Sequence, residues 1–286
     1  MARKSSSKGK DIGTKAPDQQ NQITAREVED VEERSGPRTP VIYEVVCRLG
    51  EEEMARPVFS LWWSGVAAGM SISFSLLAQA ILHTHLPDAP WRPLVADFGY
   101  TVGFIMVIMS RQQLFTENTI TAVLPVIATF SFDNLTKMAR LWAVVLLANF
   151  AGTLFAALFS TFAPVISSEL LQGMLEISRQ ILGHSWPEMF FKGIAAGFLI
   201  AALVWLIPGA ETAQFYVIVL MTYLISVGNF MHVVAGSVEA FLLLLNSELS
   251  WLTLLTGFLL PVLAGNIVGG TALFTLIAYA QVVKEI

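Results

Sequence analysis

The sequence predicts an all-α polytopic membrane protein with six spans, arranged as a 3+3 inverted repeat in which spans 2 and 5 are broken. Three observations support this fold class. The 286 residues are 55% hydrophobic and only 14% charged, with a mean hydropathy of +0.63, whereas soluble domains carry about 25% charged residues. Two apolar stretches are too long for one straight span and contain polar interruptions. Short motifs also recur in the same order in both halves.

The charged residues are concentrated ahead of the apolar body, since residues 1–57 hold 10 Lys/Arg and 11 Asp/Glu. The chain is therefore predicted to divide into a disordered cytoplasmic tail (1–38), a cytoplasmic amphipathic helix (39–57) and a transmembrane transporter domain (58–286). The apolar stripe of the amphipathic helix, which is predicted to end near Gly50, favours docking under the membrane domain over a site for a partner.

The apolar body supplies both ordinary and interrupted spans. A transmembrane helix needs about 20 consecutive apolar residues, and four stretches meet this requirement without interruption: 58–82, 138–162, 189–208 and 251–283. Two further stretches, 95–130 and 213–246, are too long and contain polar residues near 110–119 and 228–237. Unwound backbone cannot face lipid, because its N–H and C=O groups would lack partners. The pattern predicts a pore in which the two breaks meet near the membrane midplane.

Three motifs of the first half recur, in order, in the second half. Residues 65–69 resemble 193–197, the break around Thr116 resembles the break around His232, and residues 149–152 resemble 266–269. One match would be weak evidence, because small residues are common in packed membrane helices. Three matches in the same order predict a duplication, and duplicating three spans inverts the second copy.

The distribution of Lys and Arg predicts that both termini are cytoplasmic. With that orientation the cytoplasmic side holds the 10 basic residues of the first segment together with Lys137, Arg140 and Lys284. The opposite side then holds at most Arg92, Arg179 and Lys192.

The candidate chemical groups lie in and beside the two breaks. His232 is the one histidine deep in an apolar span, where an ionisable group is costly, and an imidazole is the side chain best suited to exchange a proton near neutral pH. Thr116 in the first break can donate to a solute, cap a helix, or do both. Four asparagines are predicted to support the broken helices: Asn118, Asn229, Asn149 and Asn266.

Several function classes are disfavoured. The chain has one cysteine and lacks paired Cys/His ligands, HExxH, phosphate-binding glycine loops and GxSxG, so that no cofactor, no metal and no enzyme activity is predicted. A membrane hydrolase using Ser237 and His232 is disfavoured because no oxyanion motif accompanies them. The net charge of −5 gives no basic surface for nucleic acid. The predicted partners are the lipid bilayer and a small solute.

These motifs resemble those of the formate/nitrite transporter family over about residues 40–284. The resemblance rests on Leu114-Phe115-Thr116 in the first break and on Asn-Phe-Met-His at 229–232 in the second, with further support from the motifs at 149–152 and 266–269. It implies a homopentamer in the inner membrane, in which each protomer has its own aquaporin-like pore for small monovalent anions such as formate, nitrite or hydrosulfide.

The resemblance also implies roles for particular side chains. His232 would be the central protonatable residue, with Thr116 as its partner from the first break. Apolar constrictions would be lined by four residues: Tyr100, Phe104, Ile200 and Ile225. The full set of predicted pore residues is His232, Thr116, Phe115, Leu114, Tyr100, Phe104, Ile200, Ile225 and Arg111.

Several residues depart from the family pattern, namely Met231, Gly236, Gly197, Arg111 and Gln112. Met231 stands where formate channels have an acidic residue, and Arg111 stands where the family usually has a small one. A guanidinium cannot be neutralised at membrane depth. Arg111 is therefore predicted to pair with Glu117 or Glu239 as a structural strut, in preference to acting unpaired as a fixed anion site.

The sequence thus predicts a transmembrane channel or transporter for small monovalent weak-acid anions, linked to protons through His232. Passive channelling and proton-coupled uptake differ in whether His232 retains the proton. The alternatives are a neutral small-solute channel and a membrane scaffold or sensor with a vestigial pore.

Overall fold

The secondary structure of the chain is helical throughout the part that the computed structural model describes, residues 36–286, and contains no strand there. The predicted tail, residues 1–38, lies outside the described residues except for its last three. The α-helices are α1 (Thr39–Ala55), α2 (Val58–Ile72), α3 (Phe74–His85), α4 (Arg92–Ala96), α5 (Thr101–Met109), α6 (Asn118–Thr121), α7 (Val123–Ala128), α8 (Phe132–Phe162), α9 (Ser168–Ser178), α10 (Trp186–Leu206), α11 (Gln214–Val227), α12 (Val233–Leu245), α13 (Leu260–Ile267) and α14 (Leu276–Val282).

Five helical stretches are long and apolar enough to cross a membrane: Val58–His85, Arg92–Met109, Phe132–Phe162, Trp186–Gly209 and Thr253–Val282. Three shorter apolar helices accompany them: Asn118–Ala128, Gln214–Val227 and Val233–Leu245. The last of the long stretches differs from the ordinary helix predicted for 251–283, because π-helical turns at Thr253–Leu259 and Val268–Thr275 flank α13.

The helix gaps at 110–117 and 228–232 begin with the same backbone conformation. Arg111 and Asn229 both have positive φ, 52° and 51°, which is the left-handed conformation that ends many helices. The residue after each donates its N–H to a carbonyl five positions back, Gln112 to Val107 at 3.0 Å and Phe230 to Ile225 at 2.9 Å. Helices α5 and α11 therefore end in equivalent turns, 118 residues apart.

Helices cross at glycines in both halves of the chain. A Cβ atom on Gly69 of α2 would lie 2.2 Å from the backbone oxygen of Asn149 on α8. A Cβ atom on Gly197 of α10 would lie 2.3 Å from the backbone oxygen of Asn266 on α13. Only glycine permits this approach, and it brings each asparagine close to the backbone of the helix that it crosses.

Helix α1 packs against α6 and α7 through its apolar face. Tyr43, Val46 and Cys47 are buried and contact a cluster that includes Ile120 and Leu124. The predicted end of this helix near Gly50 is wrong, because the helix continues to Ala55. The extra turn carries Glu53, whose carboxylate accepts hydrogen bonds from Gln113 and Thr121.

Candidate functional site

The first helix gap is held by Asn149 of α8. Its Oδ1 accepts the N–H of Phe115 at 2.9 Å, while its Nδ2 donates to the carbonyls of Gln113 at 2.8 Å and Gly65 at 2.9 Å. Asn149 is fully buried. One side chain thus satisfies backbone groups of the gap and ties it to α2, which removes the penalty of burying unpaired backbone.

The second gap is held by Asn266 in the same way. Its Oδ1 accepts the N–H of Val233 at 2.8 Å, and its Nδ2 donates to the carbonyls of Met231 and Gly193, both at 2.8 Å. We call Asn149 and Asn266 the two clamps. The two clamps bind the N–H groups of Phe115 and Val233, which are 118 residues apart. At this offset Thr116 corresponds to Val234. The sequence match of Thr116 with His232 has an offset of 116 and is therefore wrong by two residues.

The clamped gaps bring Thr116 and His232 into direct contact. The distance from Thr116 Oγ1 to His232 Nε2 is 2.7 Å, and the two residues are 0% and 2% exposed. The Nδ1 atom of His232 accepts the N–H of Ala235 at 3.0 Å, so that the imidazole caps the N-terminus of α12. The residues predicted to act together from the two gaps are therefore adjacent.

The cap determines which ring nitrogen of His232 carries a proton. A backbone N–H can only donate, so Nδ1 must be unprotonated and the neutral ring carries its proton on Nε2. Nε2–H then donates to Thr116 Oγ1, which leaves the Thr116 hydroxyl proton free to donate to another group. An imidazolium would need a proton on Nδ1, and this would break the contact with Ala235.

Aromatic and aliphatic side chains surround this pair. The ring centroid of Phe104 is 5.1 Å from that of His232, and the Tyr100 ring is 5.2 Å from Phe104. Leu114 and Phe115 are each 1% exposed, and the Phe115 ring packs edge-on against Trp142 at 5.6 Å. The remaining predicted pore residues, Ile200 and Ile225, are fully buried in the same core.

A cavity of about 60 Å³ lies on one side of the His232–Thr116 pair; we call it the vestibule. That volume holds a few water molecules. Its lining includes eight polar or ionisable residues: Gln79, Asp97, Tyr100, Gln180, Ser226, Asn229, His232 and Glu239. Tyr100 thus lies at the vestibule, whereas Phe104, Ile200 and Ile225 are not part of its lining.

The sequence reasoning missed the polar network of the vestibule. Asp97 Oδ1 accepts from Gln79 Nε2 at 2.7 Å and from Ser226 Oγ at 2.8 Å. The sequence pattern indicates Glu239 only as a partner for Arg111. An acid at the edge of an apolar stretch is itself a signal of function in a membrane protein, and this signal could have found both Asp97 and Glu239.

A second group of acids lies where α1 meets the first gap. Glu53 Oε1 accepts from Gln113 Nε2 at 3.2 Å, and Glu53 Oε2 accepts from the Thr121 hydroxyl at 2.7 Å. Burial raises the pKa of the Glu53 carboxyl, although these two hydrogen bonds act to lower it. Nearby, the Oε1 atom of Glu117 is buried and makes no hydrogen bond within residues 36–286.

Arg111 does not form the predicted strut. It is exposed, and none of the ion pairs or hydrogen bonds among the described residues joins it to Glu117 or Glu239. It is also absent from the lining of the vestibule. The pairing prediction is wrong because Arg111 occupies the helix-ending turn of α5, from which its side chain reaches the surface of the protomer.

The other supporting asparagines act differently from the clamps. Asn118 stays within the first gap, where its Nδ2 donates to Gln113 Oε1 at 3.3 Å and its carbonyl accepts the indole N–H of Trp142 at 3.0 Å. Asn229 contributes its left-handed backbone, and its carbonyl accepts from Lys192 Nζ at 3.2 Å.

Ser237 is not placed for hydrolysis. Its hydroxyl contacts Thr153 Oγ1 at 2.8 Å and the carbonyl of Val234 at 2.6 Å, while the imidazole of His232 is already engaged with Thr116. Within the described part of the chain, no group of three or more His, Cys, Asp or Glu side chains could hold a metal ion. The site is therefore built from neutral donors, one imidazole and carboxylates.

Comparison with known proteins gives consistent matches. A sequence profile described as "Formate/nitrite transporter" matches residues 40–280. Inner membrane protein YfdC of Escherichia coli K12 is 43% identical over 257 residues, which cover 90% of this chain and 83% of that protein. The solved structure of an FNT family ion channel matches with a TM-score of 0.71 at 21% identity, covering 85% of this chain and 98% of the other. A pentameric formate channel with formate bound gives a TM-score of 0.67 at 19% identity, with 79% and 98% covered.

Proposed function

Because the chain belongs to the formate/nitrite transporter family, we propose that this multi-pass membrane protein moves small monovalent weak-acid anions, such as formate or nitrite, together with a proton at His232. The observation that carries the proposal is the 2.7 Å contact between Thr116 and His232. This contact joins the two helix gaps at a buried point. A binding site between two broken helices is typical of transport proteins.

The proposed architecture has six crossings as a 3+3 inverted repeat, with spans 2 and 5 broken at 110–117 and 228–232. The two clamps support this arrangement, because equivalent asparagines bind equivalent backbone groups in both halves. We further propose an inner-membrane location, as in the name of the E. coli relative, with both termini cytoplasmic. A homopentamer is proposed from the fold shared with the pentameric formate channel.

The proposed mechanism starts from the cost of carrying a bare charge past apolar side chains. An anion at the centre would accept the free hydroxyl proton of Thr116 in a hydrogen bond and would be favoured by the positive end of the α12 dipole. His232 can give its Nε2 proton to the anion only while Nδ1 takes up another proton, which must come from water in the vestibule that His232 lines. That exchange breaks the cap on Ala235, which costs about 1 kcal/mol, and the neutral acid then passes Phe104.

The test is solute flux through the purified protein in liposomes, with formate and nitrite as probes over a range of pH. Wild-type protein should carry both solutes faster than empty liposomes, and His232→Asn should remove the pH dependence. His83→Asn is the matched control, because His83 pairs with Glu176 at 3.2 Å away from the site. If wild-type protein carries neither anion at any pH, the proposed function is wrong.

A neutral-solute channel is the second candidate, and the vestibule favours it. Among the described residues, those that line this cavity include Asp97 and Glu239 but no Lys or Arg. A carboxylate repels an anion and does not repel water, glycerol or ammonia. Liposome swelling with such solutes, without any flux of formate or nitrite, would favour this candidate over the first.

A further inference from the structure

Four side chains close a ring of hydrogen bonds where α1 meets the first gap. Glu53 Oε1 accepts from Gln113 Nε2 at 3.2 Å, and Gln113 Oε1 accepts from Asn118 Nδ2 at 3.3 Å. The Thr121 hydroxyl lies 3.3 Å from Asn118 Oδ1 and 2.7 Å from Glu53 Oε2, which completes the circuit. Gln113, Asn118 and Thr121 are 4%, 1% and 3% exposed, so bulk water does not replace these bonds. We call the four side chains the Glu53 ring.

The number of protons in the Glu53 ring depends on the carboxyl group. Each amide supplies one N–H, and the Thr121 hydroxyl supplies one proton for two acceptors, Glu53 Oε2 and Asn118 Oδ1. With an ionised carboxylate, three protons serve four contacts, and no other donor within residues 36–286 reaches Asn118 Oδ1. A proton on Glu53 Oε2 makes the count four, because Glu53 then donates to Thr121 and Thr121 donates to Asn118. Burial raises the pKa of the Glu53 carboxyl, in agreement with this count.

Two contacts fix the end of α1 that carries Glu53. A Cβ atom on Gly50 would lie 1.8 Å from the carbonyl oxygen of Thr121, so α1 touches the backbone of α6 there. Arg140 of α8 donates to the carbonyls of Met54 and Arg56, at the C-terminal end of α1. Glu53 lies between these two anchors in the chain, and they hold its carboxyl group against the first gap.

The Glu53 ring encloses the segment that carries Thr116. The hydrogen bond from Asn118 to Gln113 links the two ends of residues 113–118. The carbonyl of Gln113 is bound in addition by the clamp Asn149. The ring and the clamp thus restrain the same segment from opposite sides of Thr116 in the chain.

The second gap has no such ring. At the offset of 118 residues, the positions of Gln113, Asn118 and Thr121 correspond to Met231, Gly236 and Glu239. A methionine and a glycine cannot supply the two amide links. The ring is therefore a feature of the first gap, where α1 supplies the acid.

We propose that Glu53 is a positioning residue of the transport site: its protonated carboxyl closes the ring, and the closed ring holds Thr116 opposite His232. This inference rests on the proposed function, because it concerns the Thr116–His232 contact. Loss of the proton removes one of the four bonds and loosens residues 113–118, so the Thr116 hydroxyl is oriented towards a solute for less of the time. Flux should therefore fall as the pH on the α1 side rises through the raised pKa of Glu53.

Other charged groups face Glu53 from its own helix and from the elements packed against it. After burial and the two hydrogen bonds, Arg56 lowers the pKa of Glu53 and Glu52 raises it. Glu117 of the first gap is also close enough to interact with Glu53. On α8, Arg140 binds the backbone at the end of α1, while Lys137 and Asp133 pair with each other. None of these groups forms an ion pair with Glu53 within residues 36–286.

The experiment measures hydrogen exchange of the backbone amides at 110–121 by mass spectrometry, over a range of pH and corrected for the intrinsic pH dependence of exchange. In the wild type, corrected exchange should rise roughly fivefold with pH, which is the effect of losing about one net hydrogen bond. Glu53→Gln should stay protected at every pH, because its amide supplies the fourth proton permanently. Glu52→Gln is the matched control, since Glu52 is exposed on the same helix, and should follow the wild type.

The same variants are tested for formate flux in liposomes. Glu53→Ala removes two bonds of the ring and should lower flux roughly tenfold at every pH. Glu53→Gln should restore wild-type flux and maintain it as the pH on the α1 side rises. If Glu53 only stabilised the fold, Glu53→Gln would instead keep the pH profile of the wild type.

The outcomes separate this inference from the proposed function. If the wild type and Glu53→Gln have the same exchange profile, the inference is wrong while the proposed function stands. If Glu53→Ala carries formate as the wild type does, the ring does not position Thr116 and the inference is again wrong. If the wild type carries no formate at any pH, the proposed function fails and the positioning role fails with it. If Glu53→Ala does not assemble, the exchange and flux profiles of Glu53→Gln still decide the matter.

Discussion

Replacing Asn266 with alanine should destabilise the protein strongly, because three buried hydrogen bonds depend on this one side chain. The variant would leave the N–H of Val233 and the carbonyls of Met231 and Gly193 without partners. Each bond contributes about 1 kcal/mol net, and each buried group left unpaired costs about 1–3 kcal/mol. Water entering the vacated space recovers part of that penalty, so we expect a loss of about 3–5 kcal/mol in the free energy of unfolding.

The measurement is unfolding of the purified protein in a denaturing detergent, followed by tryptophan fluorescence. Asn246→Ala is the matched control, because Asn246 makes a single side-chain hydrogen bond, to the Leu242 carbonyl at 2.8 Å, at the end of α12. It should lose only about 1 kcal/mol. Asn266 holds Met231 and Val233, the two residues that flank His232. The loss of Asn266 should therefore also abolish the pH-dependent flux. If Asn266→Ala is as stable and as active as Asn246→Ala, the clamp does not hold the second gap.

Three further predictions follow from single sites. His232→Asn should assemble normally, because asparagine can cap α12 in its place, while flux loses its pH dependence; an unchanged pH profile would make His232 purely structural. Arg111→Gly should raise the free energy of unfolding by about 0.5–1 kcal/mol, since glycine relieves the left-handed strain, and should leave flux unchanged. Asn229→Gly should raise the free energy of unfolding by less, because asparagine tolerates the left-handed conformation. Burial raises the pKa of the Glu53 carboxyl, so its contribution to stability is present below the usual glutamate pKa and is lost as pH rises through the raised pKa. Glu53→Gln should therefore lessen the fall in thermal stability as pH rises above the usual glutamate pKa, and a pH profile parallel to that of the wild type would contradict this.

The features that could be predicted from sequence are those that repeat or that depend on local composition. Long apolar stretches identify the membrane helices, because a helix of about 20 apolar residues has few stable positions other than a membrane. The recurrence of a glycine pair and of Asn-Phe-Ala-Gly or Asn-Ile-Val-Gly identified Asn149 and Asn266 as ties for broken backbone. Both asparagines do bind the gaps, and each also reaches the helix that it crosses.

The features that could not be predicted depend on pairs of residues far apart in the chain. Gln79, Asp97 and Ser226 form one network although up to 147 positions separate them. The charge of Arg111 suggested a buried ion pair, but the turn that ends α5 directs it to the surface. The left-handed backbone at Arg111 determines where its side chain lies. Residues other than glycine seldom adopt this conformation, so an arginine in the sequence does not indicate it.

The two clamps and the chemistry of the site are separable in this molecule. At the clamp-defined offset of 118 residues, His232 aligns with Leu114 and Thr116 aligns with Val234, so the two halves present different side chains on equivalent backbone. The His232–Thr116 contact therefore joins two positions that do not correspond to each other. One of its side chains comes from each half of the chain. The clamps bind backbone groups only. Substitutions at positions 116 and 232 can therefore change which solute is carried, and whether a proton is transferred, without removing the hydrogen bonds that hold the two gaps in place.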